Sequence, residues 1–310
     1  MPGALLRLSI FRLSADPAPR LAIFIAGLLC LAGAALWAPP PAAAQETPYF
    51  VAYSHHLEEP GNLDVEFNPV FGTEHGGNDY LAGTMEFEYG VKAWWTSELY
   101  LDGQSTFSDS TIFTGFRWEN RFRPLMREHW INPLLYMEYE NVNDADKTMI
   151  EVVGFDNQAD YIPRNAVLRR KTDHEAELKL ILSSDFKGWN LSENFITEKN
   201  LGHDPWEFGY ALGVSRPLRL ADTPHPCNFC RENFLAGAEF YGGLGTSWNL
   251  TTSGTSHYAA PIVGWQLPSG VTLRLSPGFG LDSNSHGFIL RWGVSYEFEG
   301  FGWRVRKLFQ

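Results

Sequence analysis

Cys227 and Cys230 form a C-x-x-C motif, a spacing found in disulfides, metal sites and redox-active thiol pairs. Haem attachment through this motif needs a histidine after the second cysteine, and Arg231 stands there instead. A zinc site needs further ligands, of which only His225 is close in sequence. In an exported protein a disulfide is the natural product of an oxidising compartment. We therefore predict a Cys227–Cys230 disulfide, with a metal site or free thiols as the alternatives.

The adjacent histidines His55 and His56 are the other residues with metal-binding chemistry. Two neighbouring imidazoles without a further ligand at a suitable spacing are a weak indication of a metal site. We expect both side chains to lie in solvent, and we predict neither a metal ligand nor a cofactor in this chain.

Carboxylates recur at every second residue through much of the chain. In residues 85–89, for example, apolar side chains alternate with Glu86 and Glu88. Successive side chains of a strand point to opposite faces, so such a segment has one apolar and one polar face. The pattern predicts about twelve antiparallel strands. They span 63–73, 80–91, 93–105, 110–124, 131–142, 170–185, 188–199, 205–217, 233–244, 257–268, 270–281 and 286–298.

Alternation alone does not say whether the apolar face points inward, as in a soluble barrel, or outward against lipid. The predicted strands are longer than the five or six residues that soluble sheets usually use, and they match a tilted bilayer span. Aromatic residues concentrate near strand ends, as at Trp94-Trp95, which is typical of interfacial girdles. The polar face carries full charges in mid-strand. We therefore predict an all-β fold, a transmembrane antiparallel β-barrel over 63–298, and keep an exported soluble β-protein as the alternative.

The first 44 residues have the order of a secretory signal. Arg7, Arg12 and Arg20 precede a run without charge from Leu21 to Trp37, and a small-residue stretch ends at Ala44. A transmembrane anchor is the alternative, but the apolar run is at the short end for a span. We expect a signal peptide over 1–44, a periplasmic segment or plug over 45–62, and a tail over 299–310 after the barrel.

The last predicted strand resembles the assembly signal of Gram-negative outer-membrane β-barrels. Residues 291–298 read RWGVSYEF, with a polar residue, a glycine two positions later and a hydrophobic end with an aromatic residue. The resemblance implies an outer-membrane location among outer-membrane lipids, and porin- or transporter-like functions. It also implies recognition by the barrel-assembly machinery through Arg291, Gly293, Tyr296 and Phe298. The chain departs from the pattern because residues 299–310 continue beyond that aromatic.

The polar faces predict a lumen rich in acids. The predicted pore-lining residues are Glu86, Glu88, Glu98, Asp102, Arg117, Glu119, Arg121, Glu138, Glu140, Asp173, Glu175, Glu177, Lys179, Glu207, Glu239, Arg274, Arg291 and Glu297. An excess of acids in a narrow bore favours cations, so we expect a channel that passively admits small solutes and prefers cations. The alternative is a closed structural or ligand-binding barrel in which acids and bases pair across the bore. The long loop 143–169 could fold inward as a constriction.

The overall charge excludes one class of partner, and the motifs disfavour catalysis. The chain carries 36 acidic and 24 basic residues, whereas nucleic-acid binding needs Lys/Arg clusters. Outer-membrane phospholipases place a serine two residues after a lipid-facing histidine, but Ala176 follows His174 at that distance. Acidic pairs such as Glu86 and Glu88 recur in every strand and mark no single site. We predict no catalytic residues and keep an outer-membrane lipase-like hydrolase as the alternative function.

Overall fold

A computed structural model describes residues 48–73, 78–148, 152–155, 163–202, 205–220 and 227–308. The predicted signal peptide, 1–44, lies outside the described residues, as do residues 45–47 at the start of the predicted plug. No helix in this described part of the chain is long and apolar enough to cross a bilayer.

Thirteen strands form a single antiparallel sheet. They are β1 (Leu63–Gly72), β2 (Tyr80–Lys92), β3 (Trp95–Thr106), β4 (Thr111–Phe122), β5 (Asn132–Asn143), β6 (Thr172–Phe186), β7 (Trp189–Asn200), β8 (Glu207–Pro217), β9 (Phe234–Thr246), β10 (Asn249–Leu250), β11 (His257–Gln266), β12 (Val271–Gly280) and β13 (Phe288–Phe298). Strand β13 pairs with β1, and β8 pairs with β9, so the sheet closes on itself. The two-residue β10 only extends β9, which leaves twelve strands in the wall. This confirms the predicted barrel, and each predicted segment overlaps one of these twelve strands, with ends that differ by at most two residues.

Alternation sorts the side chains of each strand between the inside and the outside. On β3, Glu98 and Tyr100 are 2% and 4% exposed, whereas Leu99 and Leu101 are 41% and 40% exposed. The same contrast recurs on β4, β5 and β6, where the exposed side chains include Phe116, Trp118, Leu135, Met137, Leu178 and Leu180. The barrel therefore presents an apolar band outward and a polar surface inward, as a bilayer-spanning barrel requires.

The two ends of the barrel differ in their connections. At the proximal end, where β1 begins and β13 ends, Lys187 and Gly188 join β6 to β7 with positive φ angles of 52° and 80°. Two successive positive φ values are typical of the two-residue hairpin turn that matches strand twist. Longer connections, 123–131 and 218–233, also lie at this end. The opposite, distal end holds the loop between β5 and β6, with the short helix α1 (Asn165–Leu168).

The chain after β13 turns back onto the proximal end. Helix α2 (Phe301–Leu308) begins beside the residues that precede β1. The amide of Gly302 donates to the carbonyl of Gly61 over 2.9 Å, and the amide of Gly300 donates to Oδ1 of Asn62 over 2.8 Å. The residues that precede β1 and those that follow β13 are thus hydrogen-bonded to each other.

Candidate functional site inside the barrel

Residues 48–62, which we call the plug, lie inside the barrel except at exposed Glu59 and Pro60, and one buried carboxylate holds their first part. Oε1 of Glu239, in mid-β9, accepts the backbone N–H groups of Phe50, Val51 and Ala52 over 3.1, 2.8 and 2.7 Å. Hydrogen bonds to an ionised acceptor are roughly twice as strong as neutral ones. Three consecutive amides are therefore satisfied by one side chain of the wall, without any strand pairing.

Asparagines on β7 hold the plug on a second side. The side chain of Asn194 accepts the backbone N–H of Tyr53 over 2.6 Å and donates to its carbonyl over 2.9 Å, which imitates strand pairing. The hydroxyl of Tyr49 donates to Oδ1 of Asn190 over 2.9 Å, and Nη1 of Arg274 donates to the Tyr49 carbonyl over 2.6 Å. Buried backbone polar groups need partners, and here side chains of the wall supply them.

The plug packs where the wall has almost no side chains. The inward face of β8 consists of Gly209, Ala211, Gly213 and Ser215, which we call the small-residue wall. A Cβ on Gly213 would lie 2.7 Å from the Tyr49 ring, so the close approach of that ring requires glycine. Tyr49, Val51 and Ala52 are buried there in one apolar cluster that also contains Ala211.

Ion pairs cover the opposite side of the bore. The inward faces of β2–β6, which we call the charged wall, carry three paired cations, and two of them, Arg117 and Arg121, bridge acids on neighbouring strands. Arg117 contacts Asp102 over 2.9 Å and Glu138 over 3.6 Å. Arg121 contacts Glu88 over 2.5 Å, Glu119 over 3.0 Å and also Glu98. Lys179 contacts Glu177 over 2.7 Å.

Tyr53 joins the plug to the charged wall. Its hydroxyl donates to Oε2 of Glu119 over 3.1 Å, and the hydroxyl of Tyr100 donates to the same oxygen over 2.7 Å. The ammonium of Lys179 lies 4.7 Å from the centre of the Tyr53 ring, and the guanidinium of Arg121 lies 5.4 Å from it. Cations at this range are attracted to the face of an aromatic ring. The ring is thus held by both charge and hydrogen bonding.

Described residues of the long loop between β5 and β6 lie in the distal part of the bore. Among its described residues, Ala145, Val152 and Val153 are buried. Val153 forms an isolated β-bridge with Gly209, and Gly154 forms one with Gly245. The loop therefore turns inward against β8 and β9, in agreement with the inward constriction predicted for it.

A cavity of about 270 Å³ remains between the plug and the inward faces of β1–β4. Its acidic lining residues are Glu58, Glu59, Asp64, Glu66, Glu86, Glu88 and Glu98, and its arginines are Arg117, Arg121, Arg274 and Arg291. It extends from Glu58 and Glu59 at the proximal end to Val70 and Thr148 deeper in the bore. The acids cluster on β1–β3, whereas the arginines come from β4 on one side and from β12 and β13 on the other.

The structure places the eighteen predicted lumen residues in two groups. Buried inside the barrel are Glu98, Asp102, Arg117, Glu119, Arg121, Glu138, Glu177, Lys179, Glu239 and Arg291. Partly exposed are Glu86, Glu88, Glu140, Asp173, Glu175, Glu207, Arg274 and Glu297. Asp173 and Glu175 accept hydrogen bonds from Asn200 at the distal rim, and Glu297 accepts one from Asn62 at the proximal end. The set therefore spans the whole length of the bore instead of forming one site.

Sequence reasoning missed several residues of this interior. Asp64 and Glu66 line the cavity, and their signal was available, because they alternate with Val65 and Phe67 in the first predicted strand. Tyr53 and Asn194 carried no such signal, since the contact between them joins residues 141 positions apart.

The histidine pair lies at the proximal end, and its environment corrects one expectation. His55 is fully buried, so the expectation that both histidines lie in solvent is wrong for His55. Its Nε2 lies 3.0 Å from a carboxylate oxygen of Glu128, in the connection between β4 and β5. Nε2 of His56 lies 2.9 Å from Oδ2 of Asp185, near the end of β6. The acidic partners come from the wall, far along the chain.

The C-x-x-C motif lies in the proximal connection between β8 and β9. Cys227 and Cys230 are joined by a disulfide, and the backbone N–H of Cys230 donates to the carbonyl of Cys227. Nε1 of Trp265 on β11 donates to the carbonyl of Asn228 over 2.7 Å, which fastens the connection to the barrel. The motif therefore lies away from the plug and the cavity.

No protein-family profile matches the chain, and a comparison with curated proteins finds no significant match. Among solved structures, the chain is similar to the KdgM porin, with 7% identity, a TM-score of 0.46, and coverage of 76% of this chain and 99% of the porin. The NanC porin is 10% identical, with a TM-score of 0.47, and the match covers 76% of this chain and 98% of the porin. An outer membrane channel from Pseudomonas putida F1 is 11% identical, with a TM-score of 0.49, and the match covers 82% of this chain and 100% of the channel. At these identities the similarity concerns the fold alone.

Proposed function

We propose that this protein is an outer-membrane channel that passively admits small solutes, through a bore narrowed by the plug and with a preference for cations. The acidic cavity beside the plug carries this proposal. Twelve strands enclose more space than lumenal side chains fill alone, so a passage is possible wherever no segment occupies it. The outward apolar band supports a membrane location, and the signal-like order of residues 1–44 supports export.

The charges that line the cavity support the cation preference. Its lining contains seven acids and four arginines. Arg121 lies between Glu88 and Glu98, Arg117 is paired with Asp102 and Glu138, and Arg274 is paired with Glu66. These ion pairs neutralise three of the four arginines that line the cavity. Charges within about 8–10 Å are incompletely screened at physiological salt, so the remaining acids act on an ion in the cavity.

The orientation follows from the two ends of the chain. In barrels with an even strand number both ends lie on the periplasmic side, which makes the proximal end periplasmic. The plug then lies in the periplasmic half, and the described residues of the β5–β6 loop narrow the bore on the outer side. At the proximal end of β13, the rings of Tyr296 and Phe298 contact each other edge to face, 4.8 Å between centroids. We assign recognition by the barrel-assembly machinery to these aromatics together with Arg291 and Gly293 of the same strand, whose side of β13 faces the lumen.

Planar-bilayer recording tests the channel and its selectivity. The refolded mature chain should show discrete conductance, and its reversal potential in a KCl gradient should have the sign of a cation-preferring pore. Glu86 lines the cavity and accepts a hydrogen bond from Asn68 over 3.2 Å, so Glu86→Gln removes one acidic charge with little change in shape. That variant should move the reversal potential toward zero.

Glu299→Gln is the matched control, because it removes the same charge from an exposed position after β13. Its reversal potential should equal that of the wild type. A chain that inserts and never conducts would contradict the channel, and an anion-preferring pore would contradict the assignment of the acids.

A further inference from the structure

Three metal-binding groups, those of His55, His56 and Asp185, lie within 4.8 Å of one another at the proximal end of the plug, and Glu128 contacts His55 from a third segment. His55 and His56 belong to the plug, Asp185 to the end of β6, and Glu128 to the connection between β4 and β5. Nε2 of His55 lies 3.0 Å from Oε2 of Glu128 and 3.8 Å from Oδ2 of Asp185. Nε2 of His56 lies 2.9 Å from the same oxygen of Asp185.

The separations among His55, His56 and Asp185 fit three positions around a single tetrahedral ion, and Glu128 is the candidate for the fourth. Zinc binds imidazole nitrogen at about 2.0–2.1 Å and carboxylate oxygen at about 2.0–2.2 Å, so two donors on one tetrahedral zinc are about 3.3 Å apart. The three measured separations lie on both sides of that value. Two imidazoles with two carboxylates are also a donor set that suits zinc and neighbouring transition metals better than Mg²⁺ or Ca²⁺.

Neighbouring groups orient the donors, as outer-shell partners do in metal sites. Nδ1 of His55 lies 2.5 Å from Oγ of Ser183, so its Nε2 points toward the carboxylates. Oδ1 of Asp185 accepts a hydrogen bond from Asn190 over 2.6 Å, which leaves its other oxygen toward the histidines.

We propose that His55, His56, Asp185 and Glu128 bind one divalent transition-metal ion of the zinc class, and that this ion fastens the plug to the barrel wall. The ion would join the plug to two neighbouring parts of the wall at the proximal end. Binding would then stabilise the narrow form of the bore, because the ion needs ligands from both the plug and the wall. The effect on the bore rests on the proposed channel function, whereas the binding itself does not.

Calorimetric titration of the refolded, chelator-treated chain with ZnCl₂ in detergent tests the site. We expect one equivalent of zinc to bind, and MgCl₂ to produce no binding heat. His56→Ala removes a direct ligand that is partly exposed, so the fold should persist. Its zinc affinity should fall by more than the about 10- to 100-fold that loss of an outer-shell partner costs.

Asp185→Asn supplies a second variant, because asparagine keeps the shape and can still accept the hydrogen bond from Asn190. It should also lose most of the zinc affinity. His129→Ala is the matched control, since this exposed histidine lies next to Glu128 and outside the donor set. Absence of zinc binding by the wild type, or equal affinity in His56→Ala and His129→Ala, would overturn the site.

Bilayer recording separates the site from its role. Zinc should lower the conductance of the wild type and leave that of His56→Ala unchanged. If calorimetry detects zinc binding but zinc does not change the conductance, the proposal that the ion fastens the plug to the wall is wrong. If the chain never conducts, the proposed channel fails, and calorimetry still decides the metal site.

Discussion

The charged wall and the small-residue wall fill one barrel in opposite ways. On β2–β6, long charged side chains reach into the bore and pair with each other, as Arg117 does with Asp102 and Glu138. On β8, the inward positions are glycine, alanine and serine, and the space is filled by other parts of the chain. Tyr49 of the plug packs against Gly213, and the carbonyl of Val152 approaches Gly209.

This difference separates two kinds of constriction. The ion pairs of the charged wall are part of the strands, so they cannot leave without breaking the barrel. The plug is connected to the wall by hydrogen bonds and packing, and its removal leaves every strand pairing in place. The width of the bore beside β8 is therefore set by a segment that is not part of the strands.

Deletion of residues 48–61 should have the largest effect on function. The small-residue wall would then face open space, and single-channel conductance in a planar bilayer should rise several-fold. Deletion of residues 303–310, in and after α2, is the control and should leave conductance near the wild-type value. Equal conductance in the plug deletion and the wild type would mean that the plug does not limit the bore.

Arg121→Met should have the largest effect on stability, because it leaves Glu88, Glu98 and Glu119 without their shared cation. Removal of one partner from a buried ion pair costs about 3–5 kcal/mol. Denaturant titration of the folded barrel in lipid or detergent measures this loss. Arg127→Met, in the exposed proximal connection, should cost less than about 1 kcal/mol. Similar losses for the two variants would show that the charged wall contributes little to the fold.

Leu180→Arg tests whether the outward face of β6 contacts lipid. Leu180 is 43% exposed in mid-β6, and Lys179 beside it faces the bore. Arginine on a lipid face near the bilayer centre destabilises a barrel by about 2–4 kcal/mol. Leu220→Arg places the same residue at an exposed position beyond the proximal end of β8, where we expect a change within about 0.5 kcal/mol. If Leu180→Arg were equally harmless in lipid vesicles, the outward face of β6 would not contact hydrocarbon.

The barrel was predictable from the sequence because every strand has one face toward the outside of the barrel and one face toward the lumen. Apolar side chains outside and polar ones inside impose a period of two, and that period places strands from Leu63 to Phe298. The plug has no period, because its backbone bonds go to single side chains such as Glu239 and Asn194. The donors around His55 also come together only after folding, since Glu128 and Asp185 lie 73 and 129 positions from their histidines.

One signal for the plug was nevertheless present in the sequence. Gly209, Ala211 and Gly213 fall on the face of β8 that the alternation assigns to the lumen. In a twelve-stranded barrel such a face leaves a gap beside the wall, and a close-packed interior needs other residues to fill it. A run of small residues on a lumenal face therefore predicts an inserted segment on that side, although not which segment.

Gly213→Val tests this rule with the smallest expected effect. The added side chain would clash with the Tyr49 ring, because even a Cβ at this position would lie 2.7 Å from it. Overpacking of this kind costs about 1–3 kcal/mol, and here the plug can move while the strands stay paired. We therefore expect limited proteolysis to cut residues 48–62 faster and conductance to rise, with a small change in barrel unfolding. Gly287→Val adds the same side chain where no atom lies within 4 Å, and both readouts should stay at wild-type values. If limited proteolysis cuts the plug at the same rate in Gly213→Val and in the wild type, the small residues of β8 are not what allows the plug to pack there.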